Sequence, residues 1–241
     1  MIKHYLLLLF SFAFFQLSYA QESTYQTWLD YDHQYKKDGN FRFLSDYGLR
    51  WQSTAGSDNW YRLHARPSVG FRPSTLMDYR GGIGVFFTQN ELTANQFEIR
   101  PWQGAKISWP NFKRFRFFNY FRLEERFSFR INQSQNFVLK FRYKFGVKIP
   151  LNNTVISVGT FYIPVSIELF MDLTLNNNEQ TNDRTRIEVG LAYRWTAKTT
   201  VRLLYTTQSI FNNQGEGFDF NSGFSQIDNI LRVTVSQRIG F

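Results

Sequence analysis

The chain has 241 residues, 28 Lys+Arg against 19 Asp+Glu, and no cysteine, with 27 Phe, 13 Tyr and 6 Trp. The missing cysteines exclude disulfides and thiolate metal sites, and the surplus of bases points to anionic surfaces or solutes as partners. Nucleic acid fits poorly, because the bases alternate with phenylalanines instead of forming runs and the chain opens like an exported one.

Lys3 and His4, the apolar run 6–15 and Ser18-Tyr19-Ala20 have the layout of a secretory signal peptide. Cleavage after Ala20 is expected, leaving 21–241 as a single domain. No cysteine follows the cut, so a lipoprotein anchor is excluded. No later apolar run is long enough for a membrane helix.

From Gln21 the chain breaks into runs of period two. Residues 27–35 place Leu29, Tyr31 and Tyr35 on one face, and 36–40 make a turn. In 41–52 the apolar face is Phe41, Phe43, Tyr47, Leu49 and Trp51, against Arg42, Asp46 and Arg50. Residues 60–71 set Tyr61, Leu63, Ala65, Val69 and Phe71 against Arg62, His64, Arg66 and Ser68. Residues 79–88 follow, with Ile83, Val85 and Phe87 outward. Run 97–107 holds Pro101 and reads as irregular or edge-like. In 114–131 Phe115, Phe117, Phe121, Leu123, Phe127 and Phe129 share a face, which Asn119 and Glu125 spoil. Run 137–149 alternates cleanly: Phe137, Leu139, Phe141, Tyr143, Phe145, Val147 and Ile149 against Lys140, Arg142, Lys144 and Lys148. Runs 155–173, 184–195, 199–207 and 227–241 complete the set.

Repetition of this pattern behind a signal peptide predicts an all-β fold, a transmembrane antiparallel up-and-down barrel with lipid outside. Of eleven runs, parity favours ten strands starting at Phe41, with 27–35 a lead-in or an internal segment; twelve would need a further run. Loops alternate long (208–224, 176–183) and short (196–198, 150–153), placing both termini of a ten-stranded barrel on the periplasmic side. Trp28, Trp51, Trp60, Trp102, Trp109 and Trp195 lie mostly near run ends, as membrane-interface girdles would.

The last run, Leu231-Arg-Val-Thr-Val-Ser-Gln-Arg-Ile-Gly-Phe241, resembles the C-terminal assembly signal of bacterial outer-membrane proteins. That resemblance makes Phe241 the assembly signal and implies the barrel assembly machinery as partner. Phe97-Glu-Ile-Arg-Pro-Trp-Gln103, Tyr120-Phe-Arg-Leu-Glu-Glu-Arg-Phe127, Lys140-Phe-Arg-Tyr143 and residues 186–195 resemble the uncharacterised family catalogued as domain of unknown function 2490. The family implies an outer-membrane barrel and supplies no activity.

The inward face carries the candidate site. Its cations are Arg116, Arg122, Arg126, Lys140, Arg142 and Lys144, and its acids Glu98, Glu124, Glu168 and Glu188, with Asp172 and Asp228 further along. Small barrels fill their interiors with side chains, so a plugged, ion-paired interior competes with a narrow anion path. The acids are too few to neutralise the bases, which leaves cations for water or anions. A lipid-modifying enzyme is the second reading, but no His stands two residues from a Ser, and His64 and Ser68 lie about 13 Å apart along a strand. A secreted β-sandwich binder is the third. Asp30 with Asp32, and the oxygen-rich 176–183, are thin grounds for calcium; no cofactor or metal is expected. Asn132-Gln-Ser134 fits a glycosylation sequon and carries little weight in a bacterial-type chain. The expected object is a non-enzymatic protein of the bacterial outer membrane, in contact with lipid, its small-molecule or anion ligand unknown.

Overall fold

The computed structural model describes residues 22–36, 39–54, 59–130, 134–174, 182–211 and 224–240. The expected signal peptide, Phe241, the sequon residue Asn132 and the 176–181 part of the oxygen-rich segment lie outside them.

Eleven strands form, in chain order: β1 (Glu22–Lys36), β2 (Phe41–Gln52), β3 (Trp60–Phe71), β4 (Met77–Asn90), β5 (Gln96–Ser108), β6 (Arg116–Arg130), β7 (Asn136–Pro150), β8 (Phe161–Asp172), β9 (Asn182–Tyr193), β10 (Thr199–Phe211) and β11 (Phe224–Ile239). Each pairs antiparallel with its chain neighbours, and β1 closes the barrel against β11 in parallel. The expected ten strands are thus corrected to eleven. The run 27–35 is no lead-in: Asp30 faces Gly48 of β2 on one side and Thr234 of β11 on the other. An odd number of alternating strands leaves the first and last pointing the same way, so closure requires one parallel seam. It follows that β1 starts at one rim, here the upper, while β11 finishes at the lower. The start of β1 and the end of β11 thus lie at opposite rims, not at one as a ten-stranded barrel would have them.

The ladders are staggered. Followed from Asp30 through β2 to β6, the register reaches Asn136 on β7. Followed the other way, it reaches Pro150 of the same strand. That shear tilts the strands by about 40° to the barrel axis.

One parity runs through the whole sheet. On the regular ladders, directly opposed residues are both even or both odd, and the parallel seam preserves this (Asp30 with Thr234). Buried strand residues such as Trp28, Phe86, Trp102, Phe170, Leu204 and Ile230 are all even, and exposed large apolar strand residues are all odd. Even positions therefore face the interior and odd positions the outside, as period two dictates once register is held. Among strand residues with described side chains, Glu125 is the one Asp, Glu, Lys or Arg at an odd position. Asn119, the other misfit, accepts a 2.9 Å hydrogen bond from the Tyr143 hydroxyl on the neighbouring strand, so two outward polar groups satisfy each other.

Strand β5 is not an edge strand but lies between β4 and β6. Pro101 is tolerated because it faces Ile83 on β4 while the β5–β6 ladder skips from Ile99 to Trp102. Pro67 and Pro164 sit in similar gaps. The expected strand 155–173 begins only at Phe161, and the turn after Pro150 is correspondingly longer. Asn152 donates to the Gly159 carbonyl and accepts from the Phe161 N–H, and Gly159 has φ +79°, a left-handed conformation that suits glycine. With 151–160 at the lower rim, the long–short alternation of loops does not hold.

Candidate functional site: the charged interior

Alternation delivers basic, acidic and aromatic side chains into the barrel, and their packing fills its middle. Glu124 of β6 is bound by three guanidiniums: Arg142 at 2.6 Å, Arg126 at 2.7 Å and Arg122 at 3.2 Å. Arg142 reaches on to Glu168 of β8 at 2.6 Å, and Glu168 meets Arg186 of β9 at 3.4 Å. Glu188 takes Lys144 and Arg232, each at 3.4 Å, and Arg232 also donates to Asp30 at 2.5 Å. Glu98 is bound by Arg100 through Nε at 2.7 Å, with Arg62 at 3.8 Å. Lys140 lies 3.6 Å from Asp172, and Asp228 accepts from Thr24, Gln208 and Gln226. Arg116, by contrast, sits at the lower rim and donates to the Thr154 carbonyl.

Aromatic rings complete the filling. Arg50 lies 4.0 Å from the Trp28 ring centroid, and Arg186 reaches the same ring at 5.1 Å from three strands away. Arg100 covers Phe86 at 3.9 Å, Arg122 covers Trp102 at 4.2 Å, and Arg142 covers Phe170 at 4.6 Å. Shielded from water, such stacks contribute about 2 kcal/mol each. Trp28 and Trp102, expected at interface girdles, are 4% and 9% exposed and belong to the interior. Trp109 and Trp195 lie exposed in lower-rim connections.

His64 is held rather than poised. Its Nε2 contacts Asp46 at 2.9 Å, Asp30 is 3.9 Å away, and its ring stacks on Phe86 at 5.3 Å. Asp46 is shared with Arg66 at 2.8 Å. No serine or threonine hydroxyl is paired with His64 among the described residues. Gly48 makes room for the group: a Cβ there would fall 2.1 Å from His64 Cε1 and 2.3 Å from Asp30 Oδ1. Gly48→Ala is expected to cost about 1–3 kcal/mol in a denaturant titration, the overpacking penalty of a filled core.

Sequence reasoning placed Asp46 inward but did not name Asp30, Asp32 and Asp78 among the interior acids, nor Trp28, Phe86, Trp102 and Phe170 as interior aromatics. Their even numbering was the available signal. Among the described residues, no three His, Asp or Glu side chains are grouped to hold a metal ion. The carboxylates above are engaged by guanidinium, ammonium, amide or hydroxyl donors, so the middle of the barrel is built for cohesion.

A family model described as "Protein of unknown function (DUF2490)" matches residues 25–219. The chain belongs to that family. The DUF2490 match covers β1 to β10, including the first strand that parity counting had set aside. No curated protein and no solved structure matches the chain. The site of this DUF2490 barrel therefore stands on its own geometry.

Proposed function

We propose that the protein is a non-enzymatic barrel of the bacterial outer membrane, with lipid against its odd-numbered face and an interior closed to bulk diffusion by the arginine–aromatic–carboxylate layer. The observation that carries this reading is the segregation of charge on eleven strands: apart from Glu125, the described strand charges are even-numbered, while exposed Phe, Leu, Ile, Val and Tyr ring the outside. A water-soluble protein rarely shows more than a few hundred Å² of contiguous apolar surface. A closed barrel with a paired backbone and an apolar exterior meets what a bilayer demands. Export by the N-terminal signal, assembly by the barrel assembly machinery and residence among outer-membrane lipids belong to the same proposal.

The test is reconstitution of the protein into phospholipid vesicles. Folded protein is expected to show heat-modifiable electrophoretic mobility and protection from protease, and to give no conductance steps in a planar bilayer. A monomer that folds in buffer without detergent would overturn the membrane reading. Steady anion-selective current from folded protein would overturn the closed interior.

A further inference from the structure

The interior is electrically lopsided. Toward the lower rim the described inward acids are Asp32, Asp46 opposite it on the ladder, and Asp78, and all are taken: Asp32 by Arg202 at 2.5 Å, Asp46 by Arg66 at 2.8 Å and His64 at 2.9 Å, and Asp78 by Arg80 at 2.8 Å, Arg72 at 3.2 Å and Arg42. Two lysines are left over. Lys106 on β5 and Lys148 on β7 point inward and are half-buried, and neither makes an ion pair with any described residue. Their ammonium groups lie against aromatic rings, Lys106 4.6 Å from Phe118 and Lys148 5.9 Å from Tyr162. The charged groups that bear most on Lys148 are Lys106, Arg202, Arg238 and Arg80, all cations. For Lys106 they are Arg80, Asp78, Arg72 and Arg202, of which only Asp78 is an acid.

The rim repeats this imbalance. Described lower-rim connections carry Arg72, Lys113, Arg114, Arg194 and Lys198 and no Asp or Glu. The described residues joining strands at the upper rim (53–54, 59, 91–95, 134–135, 173–174) include no Lys or Arg. Cations that outnumber their counter-charges in a partly dry interior repel one another, at a cost that an anion removes. Mid-barrel the fold supplies carboxylates for this; near Lys106 the acid is Asp78, already shared by three arginines, and Lys148 has no described carboxylate in ion-pair contact.

We propose that the lower half of the interior is a binding site for a phosphate-type oxyanion, held by Lys106 and Lys148 and gathered in by the basic lower rim. This rests on the closed-barrel reading above and makes the lower half a dead-end vestibule instead of one leg of a channel. Multivalent oxyanions suit it best, since several acceptor oxygens can serve separate ammonium donors. A free phosphate and a phospholipid headgroup share that chemistry.

The experiment is calorimetric titration of inorganic phosphate and pyrophosphate into the full-length protein in maltoside micelles, which carry no phosphate. Heat-modifiable mobility first confirms the folded barrel, so failure of the barrel reading shows at that step and failure of the site at the titration. Saturable binding is expected, weakened about tenfold or more in Lys106→Gln/Lys148→Gln, the loss of at least one charge-assisted contact. Arg130→Gln, at the upper end of β6, is expected to bind like the parent. Phosphatidylglycerol added to the micelles distinguishes the sources: suppression of phosphate binding in the parent assigns the site to headgroups, and no effect assigns it to the free anion. Folded protein that binds neither phosphate nor pyrophosphate, or a double variant that binds as the parent does, would overturn the proposal. Removing two mutually repelling charges should leave the double variant at least as stable as the parent to denaturant, so lost binding is not lost folding.

Discussion

Ile187→Arg is expected to destabilise the protein by about 2–4 kcal/mol in phospholipid vesicles, the cost of an arginine near the bilayer midplane. Ile187 lies at the middle of β9, is 54% exposed, and faces Ile167 and Thr207 on the flanking strands. In a protein whose outer face met water, the same exchange at so exposed a position would change stability by no more than about 0.5 kcal/mol. Denaturant titration of tryptophan fluorescence in vesicles separates the two by several-fold. A value within about 0.5 kcal/mol would mean that the odd-numbered face is wet, against the proposed location.

Glu124→Ala should be the most damaging single change in the interior. Glu124 is 3% exposed and neutralises Arg122, Arg126 and Arg142. Its loss leaves Arg142 to Glu168, and Arg122 to the Tyr120 hydroxyl at 2.8 Å. Arg126 keeps no described carboxylate. An uncompensated buried charge of this kind costs about 3–5 kcal/mol. Arg126→Gln leaves Glu124 with two guanidiniums and is expected to cost less, about 1.5–3 kcal/mol, the range of a hydrogen bond to a charged group. Comparable losses from the two variants would show that Glu124 acts by filling space, not by neutralising charge.

The face each side chain takes was legible in the sequence because it is a local property. In residues 137–149 the alternation of Phe, Leu and Tyr with Lys and Arg needs only the two-residue period of an extended chain. The cations Arg122, Arg126, Lys140, Arg142 and Lys144 point inward in the structure, as do Glu98, Glu124, Glu168 and Glu188. Where the reading went astray, something non-local had decided. Residues 155–158 look like strand by composition, yet the Thr160 hydroxyl accepts from the Ser157 N–H and donates to the Val155 carbonyl, and the Asn152 amide donates to the Gly159 carbonyl. Pro101 looks like an edge signal, yet one ladder gap accommodates it between two partners.

By itself, then, the sequence determined that this protein is built of alternating strands, which residues form its outer apolar face and which its inner charged one, and the family to which it belongs. Tertiary structure alone decided how many strands there are and which charges meet. Membership of β1 in the barrel depends on a parallel pairing with residues about two hundred positions away, such as Asp30 with Thr234. No local pattern encodes that contact. Nor does alternation say that Glu124 meets three arginines while Lys106 and Lys148 meet none of the described carboxylates. Shear sets those encounters, because it slides each inward row past the next until particular charges come level.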